Sequence, residues 1–60
     1  MIIITYDIYR SGKKRGTGII QNNSMKSAIE ELGKENLRLS NMQDFLANVR
    51  ISEHTEELDF

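Results

Sequence analysis

No cysteine and no proline occur in this chain, and histidine occurs once, at His54. Without cysteine there is no disulfide and no thiolate metal site, and one histidine cannot build a metal centre alone. Without proline or a low-complexity tract there is no sign of a linker, so the chain reads as one domain. Long apolar runs are also missing. Met1 to Ile4 is too short for a membrane span or a signal segment, and no basic flank precedes it. The expectation is a cytoplasmic protein with no membrane partner and no cofactor.

Sixty residues lie close to the size at which one core only just offsets chain entropy. With disulfides and metals unsupported, the remaining aids are good local pairing and oligomerisation, so a homodimer is expected. Net charge is −1 but unevenly divided. Residues 1–28 hold five basic groups and one acid, for +4, whereas residues 29–60 hold three basic groups and eight acids, for −5. Such a division fits either a polyanion-binding face beside an acidic tail or two complementary patches on one solvated surface.

Residues 2–9 alternate as a strand. Ile2, Ile4, Tyr6 and Ile8 share the face expected to be buried, and Ile3, Thr5, Asp7 and Tyr9 share the other. Ser11-Gly12 is a two-residue hairpin signal leading to a second strand through Gln21. A regular register would pair Ile4 with Ile19 and Tyr6 with Thr17, and would set Arg15 opposite Ile8. That position suits arginine poorly, so an irregularity is expected at Gly16 or Gly18.

Ser24 is an N-cap candidate, and Met25, Ala28, Ile29 and Leu32 follow at helical spacing. Gly33 offers a C-cap, giving a helix over about residues 24–33. Ser40 with Gln43 resembles a capping box and suggests a further helical turn across 41–46. Ala47, Val49 and Ile51 alternate as a third strand, and residues 53–60 form an acidic tail. The fold class is α+β: ββαβ, a mainly antiparallel three-stranded sheet in the order 2-1-3 with one helix on one face. Ile3, Thr5, Tyr9 and Ile20 then lie on a face that nothing in the chain covers, a candidate partner or dimer surface.

Arg10, Lys13, Lys14 and Arg15 form a basic hairpin tip, the candidate contact for a nucleic acid or an acidic partner. The competing reading is a solvated turn whose charge blunts the edge of the second strand. The run from Gly12 to Gly18 lacks the Gly-Lys-Ser/Thr ending and the strand-to-helix context of a phosphate loop. His54 stands among glutamates in the tail, with no motif supplying a nucleophile beside it. No catalytic, cofactor or metal residue is indicated. A non-enzymatic protein-binding module is expected, with nucleic-acid binding through the hairpin tip as the alternative.

The stretch Ser24-Met25-Lys26-Ser27-Ala28-Ile29-Glu30-Glu31-Leu32, followed by Leu37-Arg38-Leu39-Ser40, Asp44-Phe45 and Val49-Arg50-Ile51, resembles the DpnD/PcfM-like family of small mobile-element proteins. The resemblance covers about half the chain. It implies a phage or plasmid origin and no established activity, and it assigns no catalytic residue.

Overall fold

A computed structural model describes residues 1–53. Two long strands, β1 (Ile2–Arg10) and β2 (Lys13–Asn22), form the hairpin; α1 (Met25–Asn41) follows, and β3 (Phe45–Glu53) ends the described chain. The sheet order is β2-β1-β3, with β1 antiparallel to both neighbours. This is the α+β ββαβ architecture that the alternation and the hairpin signal predict. Glu53 closes β3, and the rest of the expected tail, His54 included, lies outside the described residues.

Ile2, Ile4 and Tyr6 on one face of β1 pack with Ile20, Ala28 and Leu39, and Ile8, Leu32 and Leu46 border this cluster. The hairpin turns on Ser11 and Gly12, whose φ of 52° and 78° are the two positive values a tight type I′ connection requires. Arg10 pairs with Lys13 and Tyr9 with Lys14, but Ile8 then pairs with Gly16. Arg15 is therefore the extra residue of a bulge, one step earlier than the glycines predicted. The consequence runs down the whole strand. Ile4 meets Ile20, not Ile19, and Tyr6 meets Gly18, not Thr17. Ile20 is 7 % exposed in the core while Ile19 is 59 % exposed on the far face. Placing Ile20 on the open face was thus an error of one residue, which reverses every side chain beyond it.

The helix is one element of 17 residues, not a short helix followed by a separate turn. Ser24 caps it as expected, its hydroxyl accepting the backbone N–H of Ser27 at 3.1 Å. Gly33 lies inside the helix and Ser40 near its end, so neither performs the capping role that sequence suggests. Termination comes at Met42 and Gln43. The N–H of Gln43 donates to Ser40 and that of Asp44 to Leu39, with Gln43 left-handed at φ 64°. These paired bonds are a Schellman closure. β3 accordingly begins at Phe45, not at Ala47, and it carries a second bulge where Asn48 and Val49 oppose Tyr6.

Candidate functional site

The helix covers one face of the sheet; on the other, no described residue lies over the strands. Register places Ile3, Thr5, Asp7 and Tyr9 of β1 on this open face, beside Thr17, Ile19 and Gln21 of β2. From β3 come Phe45, Ala47, Arg50 and Ser52. Of the sequence-predicted surface, Ile3, Thr5 and Tyr9 are here and half-buried, and Ile19 stands where Ile20 was expected.

The centre of this face is a carboxylate. Asp7 is only 4 % exposed although no helix covers it, because side chains from both neighbouring strands close over it. Asn48 Nδ2 donates to Oδ2 at 2.8 Å and Arg50 Nη2 to Oδ1 at 3.1 Å. Lys14 Nζ lies 3.5 Å from the same Oδ1. Arg50 also donates through Nε to Thr5 Oγ1 at 3.2 Å, and Asn48 Nδ2 stands 3.5 Å from the Tyr9 hydroxyl. The hydrogen bond from Asn48, then that from Arg50 with the charges of Lys14 and Arg50, holds the Asp7 carboxyl below its ordinary value despite burial. Asn48 reaches this position through a left-handed backbone, φ 54°, so the β3 bulge supplies one of the partners of Asp7. A carboxylate kept ionised and engaged on both oxygens is a poor general base.

Two apolar clusters flank this polar centre. At the hairpin end, Phe45 pairs with Tyr9 and is 67 % exposed. At the other end Ile19 pairs with Thr5, next to Ile3. All of them stand on paired strands, so their spacing is fixed by the sheet.

The four basic tip residues are not held together as one free patch. Arg10 Nε donates to Asp44 Oδ1 at 2.7 Å and its Nη2 to the Met42 carbonyl at 3.0 Å. Arg15 stands 3.6 Å from the same Asp44 oxygen, and Lys14 turns to Asp7 on the opposite face. Of these four, Lys13 alone has no ion pair among the described residues. Asp44 is itself buried, at the rim of an open pocket of about 240 Å³ formed with Ile8, Arg15, Gly16, Arg38, Leu39 and Met42. Nearby, Arg38 donates to Glu35, which lowers the Glu35 pKa. Burial, with the charge of Glu35 and a hydrogen bond to it, raises that of Tyr6.

Sequence reasoning gave no site role to Asp7, Asp44, Asn48 or Arg50. It reads Phe45 as an inward residue of a helical turn, whereas Phe45 opens β3 and is exposed on the free face because the helix closes at Met42 and Gln43. One signal was available: a single acid amid the isoleucines of a central strand must find cations on its neighbours. Among the described residues no three metal-ligating side chains gather, and no helix is long and apolar enough to cross a membrane. Comparison with protein-family models, curated proteins and solved structures gives no match. None of the three comparisons supports the resemblance to the DpnD/PcfM-like proteins.

Proposed function

We propose that this chain is a non-enzymatic protein-binding module whose working surface is the open face of its sheet. The observation that carries the reading is the arrangement of that face. A satisfied charged centre on Asp7 lies between exposed Phe45 beside half-buried Tyr9 and exposed Ile19 beside half-buried Ile3. Aromatic and aliphatic anchors on rigid elements beside fixed polar groups are the composition of a protein interface. The engaged state of Asp7 argues in the same direction, since it leaves no free base beside a nucleophile. With the sequence resemblance, the proposed partner is a host factor and the proposed place of action the cytoplasm. The chain would act there as an inhibitor or adaptor encoded by a phage or plasmid.

The test is capture from bacterial lysate by the immobilised wild-type chain and by the Phe45→Asp/Ile19→Asp variant. Both side chains are exposed, so the variant is expected to fold. A retained protein that the variant loses supports the reading; retention indifferent to both substitutions opposes it.

A second reading has its own support. Asp7 and Asp44 between them face four cations, Lys14, Arg50, Arg10 and Arg15. With Lys13, the hairpin end keeps an excess of positive charge. If this binds nucleic acid, replacing Lys13, Lys14 and Arg15 with alanine weakens the complex and flattens its salt dependence. Absence of DNA or RNA binding at low salt removes this reading.

A further inference from the structure

The two edges of the sheet are treated differently. Along β2 the outer edge opens with exposed Lys13 and Lys14 and the Arg15 bulge, the devices by which an edge strand resists pairing with another chain. β3 has a bulge of its own at Asn48 and carries Arg50 and Glu53, but Arg50 is bound to Asp7, and from Arg50 to Glu53 the strand pairs regularly with β1 and has no lysine or proline. Val49 and Ile51 lie on its helix side, by alternation from Arg50 on the open face.

The helix leaves that side open. Glu31 meets Asn22 at the end of β2, and Arg38 lines the pocket with Arg15 and Gly16 of β2, so this flank of α1 lies over β2. At 100° per residue, Met25 and Ile29 stand on the opposite flank, toward β3. Met25, Ile29, Val49 and Ile51 are between 39 % and 52 % exposed. By this placement the four side chains border an apolar channel between the helix and the outer edge of β3, an edge with no strand partner among the described residues.

We propose that this channel is closed by a second copy of the chain, the two β3 strands pairing antiparallel across a two-fold axis. A symmetric interface needs a patch that complements itself, and β3 offers one. The register that sets Ile51 opposite its own copy puts Val49 against Glu53 and Arg50 against Ser52. No arginine then faces its twin, and the isoleucines meet at the centre of the two channels. The six strands become one sheet whose open faces are continuous. The small core points the same way. Six apolar side chains are buried among the described residues, and for a chain of this size without disulfides oligomerisation is one of the few aids left. The assembly uses the outer edge of β3 and the helix side, so it stands or falls separately from partner capture by Phe45 and Ile19.

Because the chain has no cysteine, a single introduced thiol reports the geometry directly. Paired residues on neighbouring antiparallel strands lie within disulfide reach. In full-length protein under mild oxidation, Ile51→Cys is expected to form covalent dimer at least about tenfold faster than the comparably exposed Ile19→Cys, as pairing at residue 51 requires. Light scattering is expected to show a wild-type dimer that Ile51→Lys converts to monomer. The cysteine variant, a smaller apolar residue at a half-exposed position, decides the matter even if the lysine variant does not fold. Wild-type monomer at the highest soluble concentration overturns the proposal, as does cross-linking that is equal at the two sites or faster at residue 19. A full-length monomer that dimerises only after removal of residues 54–60 also overturns it, assigning the channel to that segment.

Discussion

The ring of Tyr6 lies across the position that a Cβ on Gly18 would occupy, so Gly18 is the floor against which the central tyrosine packs. Gly33 is the opposite case. A Cβ there meets nothing within 4 Å, and the residue sits inside a helix, where glycine costs about 1 kcal/mol relative to alanine. The two positions therefore predict opposite outcomes for one substitution. Gly18→Ala must displace Tyr6 and with it the bond to Glu35, and is expected to lower unfolding free energy by about 1–3 kcal/mol. Gly33→Ala is expected to raise it by about 1 kcal/mol. Urea unfolding of both variants checks the pair; a neutral Gly18→Ala would mean that Tyr6 does not pack as described.

Among the elements, the helix terminus carries the clearest strain. Gln43 holds the left-handed position of the Schellman closure, which glycine occupies most readily. Gln43→Gly is expected to stabilise the protein by roughly 1 kcal/mol, and Gln43→Val to destabilise it, both read from thermal unfolding. The same terminus shows what local sequence could not disclose. Gly33 and the Ser40–Gln43 pair imitate a stop and a restart, but β1 has nine residues, about 30 Å of strand to cover. A helix ending at Gly33 would span only about 15 Å and leave Ile8 and Leu46 without a lid. Packing of Leu39 into the core outweighs the local glycine signal. Strand β1 was legible because its alternation is uninterrupted, and the order 2-1-3 followed from the hairpin and the crossover. An irregularity in β2 was legible as well, because a regular register sets Arg15 on the core face, although it falls at Arg15 and not at a glycine. The bulge at Asn48 was not, since it is settled by Asp7, a partner distant in sequence. A register missed by one residue moved Ile20 from the predicted partner face to the core.

At the scale of the whole molecule, the unequal charge of the two halves is partly consumed in folding. Arg10 and Arg15 from the first half meet Asp44 of the second, and Asp7 of the first half meets Arg50 of the second. Two buried carboxylates thus join hairpin, helix end and third strand, and the acid response of the fold is carried by Asp7 and Glu35. The sign follows from the pKa directions. Asp7 and Glu35 are held below their ordinary values, so their contribution is fully present above the unfolded-state carboxylate pKa of about 4. It is lost as pH falls through the lower folded values. Melting temperature is therefore expected to stay level near neutrality and to fall as pH drops below about 5. Asp7→Asn is expected to melt lower at neutral pH, because Lys14 and Arg50 lose their counter-charge, and to lose less on acidification, because one of the titrating groups is gone. Its curve should converge with that of wild type in acid, where protonation has already removed the same charge. Melting curves that remain parallel at every pH would mean that Asp7 is not the group through which acid acts.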